Sequence, residues 1–334
     1  MPEVRDAASP KVYFIGAGPG DPELLTVKAA RIIGAADLVL YAGSLVSPAI
    51  VALAKPGARV IDSAPRTLDE THALLVETVR QGGLAARVHT GDPALYGAIA
   101  EQAKRLDAAG IPHATIPGVT SASAAAAAFN VSFTVPEATQ TLILTRLAGR
   151  TPMPPREALA DLARHQTSMA VYLSAGDPEG VAQALLAGGY PPETPVAVAH
   201  RLGWPGETRL WATIATLAAT TRREGLDRQT IFLVLPGLGH DGESRLYAPS
   251  FDHGRGQMES LKNNAYIFPT KCGKLVSSAA LCGKGHGRYG RYRRKHGRRM
   301  GRRVLILRRG RVREARERWF VGREIGRASC RERV

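Results

Sequence analysis

The stretch Gly16-Ala17-Gly18-Pro19-Gly20-Asp21 follows an apolar run at 12–15 and precedes a helical pattern at 26–33. This order predicts a strand, a glycine turn and a helix. The spacing departs from the dinucleotide-binding fingerprint, which requires glycine where Asp21 stands. A carboxylate there disfavours a bound pyrophosphate, and Asp21-Pro22 instead matches a helix N-cap followed by proline. The residues alone leave two interpretations open, a tight turn or part of a ligand site.

Strand and helix patterns alternate outward from this loop. We predict strands at 12–15, 38–41, 60–61, 86–89 and 114–116, with helices at 26–33, 48–54, 68–81 and 98–109. Such alternation indicates a parallel sheet with helices on both faces.

The pattern changes after an alanine-rich helix predicted at 120–129, which could link two domains. We predict further strands at 141–144, 170–173, 196–199, 208–212 and 231–235, and helices at 156–164, 180–187 and 214–224. A mixed sheet fits this half. The predicted fold class is therefore α/β, with an N-terminal α/β domain at 11–118 and a C-terminal α/β domain at 119–252.

Two more glycine loops follow predicted strands, Thr90-Gly91-Asp92-Pro93 and Pro117-Gly118-Val119-Thr120-Ser121. Open α/β sheets bind ligands at the carboxyl ends of their strands. Gly91 lets backbone approach a ligand, and Asp92 can accept a hydrogen bond, although an ordinary Asp-Pro turn is an equal alternative. We expect one of Thr120 and Ser121 to cap the following helix, which does not exclude ligand contact.

The positive net charge of +16 belongs to the C-terminal tail. Residues 255–334 hold 24 Lys and Arg against 5 Asp and Glu, whereas residues 1–254 hold 21 basic and 24 acidic residues. All three cysteines also lie in the tail. We interpret 255–334 as a basic low-complexity segment that is either disordered or a sequence artefact, since its ending EIGRASCRERV resembles translated sequencing adapter.

The segments GAGPGDPELLT, YAGSLVS, HTGDPALYG, PGVTS, TQTLILTR and GRTP occur in this order. Together they resemble the tetrapyrrole methylase family from about residue 11 to 252, and most closely its branch that methylates C11 of precorrin-4 or cobalt-precorrin-4 in cobalamin biosynthesis. Methylation of the corrin ring at another position is the alternative within the family. The resemblance implies two α/β domains, a homodimer, and S-adenosylmethionine bound folded in the cleft between the domains.

The resemblance also implies a set of site residues. The implied cofactor contacts are Gly91, Asp92, Leu95, Thr120, Ser121, Leu173 and Leu202, with Pro19 at the edge where cofactor and macrocycle meet. Some members of the family carry an aspartate, considered as a proton acceptor, where this chain has Gly43. No catalytic base is therefore assigned.

A corrin precursor carries many carboxylates, so basic side chains should line the open part of the cleft. Arg146 and Arg150 bracket a predicted strand-end loop and are the candidates, with solvated surface arginines as the equal alternative. His89 ends the strand before the predicted cofactor loop and is a third candidate for substrate contact. A methyl group on sulfonium is already activated, so no metal is expected.

Other classes of function are less well supported. A nicotinamide dehydrogenase is disfavoured by the position of Asp21, and a nucleic-acid-binding module would rest on the tail alone, which lacks interleaved aromatic residues. The N-terminus has no signal-peptide pattern, and the longest small-apolar run is too short to cross a bilayer. We therefore expect a cytoplasmic enzyme without membrane or nucleic-acid partners.

Overall fold

The computed structural model describes residues 11–244 and the backbone of four later strands. The chain divides at Ser244 into two units, of which the first contains both α/β sheets. In the second unit, strands β11 and β12 pair antiparallel, as do β13 and β14. Their bounds are Ile267–Pro269, Leu275–Ser277, Arg302–Arg308 and Arg311–Glu317. The interpretation of 255–334 as disordered or artefactual falls mainly outside the described residues and stays a prediction, as does the extension of the second domain to 252.

The first sheet contains five parallel strands in the order β3-β2-β4-β1-β5. These are β1 (Val12–Gly16), β2 (Leu38–Tyr41), β3 (Arg59–Asp62), β4 (Ala85–His89) and β5 (His113–Ile116). The connecting helices are α1 (Val27–Ile33), α2 (Pro48–Val51), α3 (Leu68–Arg80) and α4 (Ile99–Ala108). The parallel sheet predicted from the alternating pattern is confirmed.

Both faces of this sheet are buried, which explains the continuous apolar strands. On one face Ile15 and Val88 pack with Ile33 of α1. On the other face Phe14 packs with Leu75 of α3, in a cluster that also holds α4. The start of α3 is locally encoded, since the Thr67 hydroxyl accepts the Glu70 N–H while the Glu70 carboxylate accepts the Thr67 N–H.

The second sheet is mixed, with the order β6-β7-β10-β8-β9. Its strands are β6 (Leu142–Arg146), β7 (Ser168–Tyr172), β8 (Pro195–His200), β9 (Thr208–Thr213) and β10 (Thr230–Val234). Strands β6 and β7 are parallel, whereas β10 runs antiparallel to both β7 and β8. Helices α6 (Leu159–Ala163), α7 (Pro178–Ala187) and α8 (Leu217–Arg223) cover one face.

The alanine-rich helix α5 (Ser121–Phe129) covers the other face of the second sheet. Ala122, Ala125 and Ala126 are buried against Ala197 and Leu233 of that sheet. Small side chains let the helix lie close to the strands. The segment predicted to link the domains therefore packs with the second sheet.

Two predicted helices begin three residues later than expected, and the helix predicted at 48–54 ends already at Val51. The segment predicted at 156–164 is a 3₁₀ turn, Pro155–Glu157, followed by α6, because extended backbone at Ala158 (ψ 138°) interrupts the helix. Helix α8 begins at Leu217 rather than at 214, because Thr213 and Thr216 close a hydrogen-bonded turn before it. Within the described residues no helix is long and apolar enough to span a membrane.

Candidate active site

Three loops meet at the carboxyl edge of the first sheet, after β1, β4 and β5. Gly18 and Gly91 form an antiparallel bridge, with N···O distances of 3.1 and 2.8 Å. The Asp92 carboxylate accepts the Ala94 N–H at 2.8 Å through one oxygen and the Gly118 N–H at 3.0 Å through the other. Asp92 therefore ties the β4 loop to the β5 loop.

Glycine at position 118 is required by this contact between loops. A Cβ on Gly118 would lie 2.2 Å from the Gly91 carbonyl oxygen and 2.8 Å from the Gly16 backbone. At Gly91 the requirement is conformational, since its φ of +61° is in the left-handed region. A Cβ there would lie 3.9 Å from Thr120 and Ser121, an ordinary van der Waals contact, so Gly91 packs beside these two residues.

The first loop forms a capped turn, and its Pro19 also lines the cavity described below, so the two interpretations left open by the sequence are compatible. The Asp21 side chain accepts the Glu23 N–H at 2.8 Å and caps the 3₁₀ turn Pro22–Leu24. The N-cap interpretation of Asp21-Pro22 is confirmed, although the helix α1 itself begins only after Thr26, whose hydroxyl caps it. The Pro19 carbonyl, at the tip of the loop, accepts a hydrogen bond from Trp204.

A cavity of about 530 Å³ lies between the two sheets and opens over these loops. Its volume is in the range of small-molecule sites. All eight residues predicted to contact the cofactor line it: Pro19, Gly91, Asp92, Leu95, Thr120, Ser121, Leu173 and Leu202. His89 lines it as well, whereas Arg146 and Arg150 do not.

Four non-glycine residues on the cavity wall have backbone in the left-handed region. They are Tyr96 (φ 58°), Leu173 (φ 52°), Arg201 (φ 50°) and Gln229 (φ 49°). Each such residue costs about 1–2 kcal/mol, and residues of this kind concentrate at ligand sites. Leu173 is also 71% exposed, which is unusual for a leucine but fits contact with a bound molecule. The strain supports a binding role for this cavity.

Tyr172 takes the capping role that was predicted for Thr120 or Ser121. Thr120 is the N-cap residue of α5, but its side chain makes no cap hydrogen bond. The Tyr172 hydroxyl instead accepts the Ala122 N–H at 3.2 Å and shares a hydrogen bond with the Thr120 hydroxyl. The capping prediction is therefore wrong, because the Tyr172 phenol at the end of β7 accepts the N–H at the start of the helix instead.

We expect Tyr172→Phe to weaken binding of S-adenosylhomocysteine about tenfold and to lower the free energy of unfolding by about 1 kcal/mol. The change frees the Thr120 hydroxyl and leaves the Ala122 N–H without its partner. Calorimetric titration and urea unfolding measure the two effects. Tyr190→Phe is the matched control, because the Tyr190 hydroxyl donates to Thr167 away from the cavity. Equal affinities in the two variants would contradict the assignment.

His89 and Arg87 form the floor of the cavity on β4. The side chain of His89 is buried, and its Nε2 has no hydrogen-bond partner in the described structure. Burial, with a smaller contribution from the nearby Arg87 charge, lowers the pKa of His89 to about 3. Arg87 donates to the Ser63 hydroxyl at 2.8 Å and to Gln102, and burial lowers its pKa to about 10. At neutral pH the floor therefore holds a neutral imidazole beside a guanidinium cation.

This depressed pKa predicts a specific loss of stability in acid. The unfolded chain takes up the His89 proton near pH 6.5, whereas the folded protein takes it up near 3. Stability is therefore lost as the pH falls from 6.5 towards 3, by about 3 kcal/mol between pH 7 and pH 4. We expect His89→Leu to remove this part of the pH dependence in urea unfolding, and the control His165→Gln, at an exposed site, to keep it. An unchanged slope in His89→Leu would refute the inferred burial cost.

Two hydrogen bonds join the halves of the first unit around the cavity. The Trp204 indole N–H donates to the Pro19 carbonyl at 3.0 Å, and the Gln229 amide donates to the Ser44 carbonyl at 2.7 Å. The rings of Tyr96 and Tyr172 also meet, 5.5 Å apart. These contacts tie the first loop, with Pro19 at its tip, to the segment that follows β8.

Comparison with known proteins agrees with this geometry. Residues 11–218 match the family of Tetrapyrrole (Corrin/Porphyrin) Methylases. The cobalt-precorrin-4 C(11)-methyltransferase of Priestia megaterium is 44% identical over 73% of this chain and 96% of its own length. The precorrin-4 C(11)-methyltransferase of Pseudomonas aeruginosa is 42% identical over 72% and 97%. The chain belongs to the tetrapyrrole methylase family.

Solved structures confirm the fold of this tetrapyrrole methylase. The X-ray structure of a cobalt precorrin-4 methyltransferase superposes with a TM-score of 0.66 at 44% identity, covering 67% of this chain and 93% of the other. A uroporphyrin-III C-methyltransferase from Thermus thermophilus, solved with S-adenosylhomocysteine, superposes with a TM-score of 0.57 at 30% identity over 67% and 91%. The chain is a methyltransferase, and the predicted arrangement of a parallel and a mixed sheet is confirmed.

The position where some members of the family carry an aspartate has a clear local environment here. Gly43 has φ +35°, and a Cβ on it would lie 2.7 Å from the Ala64 methyl and 2.8 Å from an Asp62 carboxylate oxygen. An aspartate at 43 would bring two carboxylates together, which is unfavourable. In this tetrapyrrole methylase, glycine at position 43 therefore leaves the space that the Asp62 carboxylate occupies and avoids a second negative charge beside it.

The two arginines predicted for substrate contact lie apart from the cavity wall. The Arg146 guanidinium donates to three backbone carbonyls of the loop that follows β6, at Leu147, Thr151 and Pro152. Arg150 is exposed in the same loop. Arg146 thus shapes this loop, and substrate contact by either arginine stays a prediction.

Sequence reasoning missed the basic side chains that do line the cavity of this tetrapyrrole methylase. They are Arg87, Arg201 and Arg228, together with the aromatic residues Tyr96, Tyr172 and Trp204. Arg201 follows β8 directly, as Leu173 follows β7. Attention to residues at the ends of strands in the second half would have found Arg201, whereas Arg87 sits inside a strand and gives no such signal.

Proposed function

We propose that this protein transfers a methyl group from S-adenosylmethionine to C11 of precorrin-4 or cobalt-precorrin-4 in cobalamin biosynthesis. The observation that carries the proposal is the match to methyltransferases named for this reaction, at 42–44% identity over nearly their whole length. The cavity supports it, since every predicted cofactor contact lines one space between the sheets.

The residues present fit this methyl donor. Gly91 lies beside Thr120 and Ser121, whose hydroxyls can hydrogen-bond polar groups, while Leu95 and Leu173 offer apolar contact. The unpartnered Nε2 of His89 gives a buried polar atom that a bound molecule can satisfy. The Asp92 carboxylate accepts one hydrogen bond in the β4 loop and one from the β5 loop, and so keeps this part of the cavity wall in place.

The donor supplies an electrophilic methyl group on sulfonium, which needs no further activation by a metal ion. The protein's contribution is to orient donor and acceptor and to exclude water. Fixing two reactants in line accounts for about 7–11 kcal/mol of a barrier in well-aligned systems. The hydrogen bonds from Trp204 to Pro19 and from Gln229 to Ser44 keep the two walls at a fixed separation for this purpose.

The proposal also covers the oligomeric state, the location, the domain bounds and the residues that contact the substrate. We propose a cytoplasmic homodimer that acts on a tetrapyrrole and needs no membrane or nucleic-acid partner, with domains at 11–118 and 119–252. Arg146 and Arg150 are proposed to approach peripheral carboxylates of the macrocycle from the loop after β6. Light scattering after size-exclusion chromatography measures the oligomeric state, and a monomer would refute the dimer.

Labelled S-adenosylmethionine tests the proposed function. The purified protein should transfer label to precorrin-4, to cobalt-precorrin-4 or to both, and label should not move to uroporphyrinogen III. Transfer to uroporphyrinogen III alone would replace the proposal with methylation of an earlier tetrapyrrole. The absence of transfer to all three, in protein that binds S-adenosylhomocysteine, would refute it.

A further inference from the structure

Arg201 presents a guanidinium to the cavity without a partner of opposite charge. It forms no ion pair and no side-chain hydrogen bond with any residue of the described structure. Its Nε is buried and has no acceptor. The neighbouring carboxylates are engaged elsewhere: Asp227 lies 3.7 Å from Arg228, and Glu207 binds Arg209 and the Gly203 N–H.

The position of this guanidinium is fixed by three contacts. The Arg201 backbone, at φ +50°, donates its N–H to the Gln229 carbonyl and accepts the Trp204 N–H, each at 2.9 Å. Its guanidinium carbon lies 5.5 Å from the centre of a Trp204 ring, a cation–π contact. Since the Trp204 indole also binds Pro19, the arginine is held at the side of the cavity formed by the first loop.

An unpaired buried N–H donor costs about 1–3 kcal/mol, so a bound acceptor would stabilise this arrangement. A guanidinium has the planar fork that matches a carboxylate. The cation–π contact and the strained backbone keep the fork in place before a ligand arrives. The geometry therefore describes a carboxylate-binding residue.

The proposed reaction brings two sources of carboxylate into the cavity. The methyl donor carries one carboxylate but also a sulfonium and an ammonium group, so its net charge is positive. The cavity wall carries three cations, Arg87, Arg201 and Arg228, and two carboxylates, Asp92 and Asp227. Asp92 accepts two backbone N–H groups and Asp227 lies beside Arg228, so a positive donor gains little beside Arg201 itself. The macrocycle carries several carboxylates and a large negative charge. Charge complementarity therefore favours the substrate.

We propose that Arg201 binds a peripheral acetate or propionate carboxylate of the tetrapyrrole and thereby sets its position over the donor. This inference rests on the proposed function. It makes Arg201 a substrate-specificity residue of the methyl transfer, while donor binding depends on the loops after β4 and β5.

The experiment compares methyl transfer by the wild-type protein, Arg201→Gln and Arg201→Lys. The acceptor is precorrin-4 or cobalt-precorrin-4, whichever the wild-type protein methylates. Arg201→Gln should raise KM for the tetrapyrrole about 10- to 100-fold, and Arg201→Lys should give an intermediate value because charge remains without the planar fork. The dissociation constant of S-adenosylhomocysteine should change less than about twofold in both. Arg223→Ala removes an exposed arginine of α8 and should match the wild type in both measurements.

The outcomes separate the alternatives. Weaker S-adenosylhomocysteine binding with unchanged KM would overturn the inference in favour of the donor's carboxylate. Unchanged KM and donor affinity in both Arg201 variants would overturn it altogether. If the wild-type protein transfers no methyl group to either macrocycle, the proposed function is refuted, and the inference about Arg201 falls with it. If Arg201→Gln does not fold, an Arg201→Lys variant with wild-type KM would overturn the inference.

Discussion

Gly118→Ala should lower the free energy of unfolding by about 3 kcal/mol or more and abolish measurable binding of S-adenosylhomocysteine. The added methyl group would lie 2.2 Å from the Gly91 carbonyl oxygen and 2.8 Å from the Gly16 backbone, so all three glycine loops must move. That movement also separates the Gly118 N–H from Asp92. Urea unfolding and calorimetric titration measure the two effects.

Gly176→Ala is the control for this prediction. Neither Gly118 nor Gly176 has a left-handed φ, so alanine is allowed by the backbone at both positions. A Cβ on Gly176 meets no atom within 4 Å, and we expect that variant to be as stable as the wild type or about 0.5 kcal/mol more stable. If Gly118→Ala were as stable as Gly176→Ala, the loops would not pack as described.

Asp92→Ala should weaken S-adenosylhomocysteine binding about 100-fold and reduce methyl transfer to a similar degree. The variant leaves the Gly118 and Ala94 N–H groups without their acceptor and releases the β4 loop from the β5 loop. Loss of hydrogen bonds to a charged acceptor costs about 1.5–3 kcal/mol each, and the looser cavity wall no longer holds the donor in place. Asp92→Asn keeps only one acceptor oxygen, and its affinity for S-adenosylhomocysteine should lie between that of the wild-type protein and that of Asp92→Ala.

Asp177→Ala separates loss of a local hydrogen bond from loss of the site. The Asp177 carboxylate accepts the Gly180 N–H at the start of α7 and does not line the cavity. We expect it to lower stability by about 1 kcal/mol and to leave donor affinity unchanged. Wild-type affinity in Asp92→Ala would show that the β4 loop is a structural turn only, the alternative that the Asp-Pro dipeptide left open.

Most of the fold could be predicted from the sequence because the signals for strands, turns and helices are local. Apolar runs before glycine loops predicted β1, β4 and β5, and parallel strands bring their carboxyl ends to one edge. The failed dinucleotide spacing at Asp21 correctly predicted a capped turn. Family resemblance supplied Leu173 and Leu202, which follow β7 and β8 and line the cavity.

Contacts between distant segments were not predictable in this way. The Tyr172 hydroxyl caps α5 from a strand about fifty residues later, and nothing near Thr120 announces it. Nothing near Arg146 predicted the hydrogen bonds that it donates to the carbonyls of its own loop, and its contact with a substrate carboxylate stays a prediction. Arg201 was missed because a lone arginine after a strand resembles surface charge until the fold places it beside Trp204 and the cavity.

Position-specific labelling tests the central claim most directly. The protein is incubated with S-adenosylmethionine carrying a ¹³C-methyl group and with precorrin-4, with and without cobalt, and the product is examined by NMR. The account predicts a single new ¹³C-methyl signal on the quaternary carbon C11, which forms about 100-fold more slowly in the Asp92→Ala reaction. Label on another ring carbon, or no label in a protein that binds the donor, would contradict it.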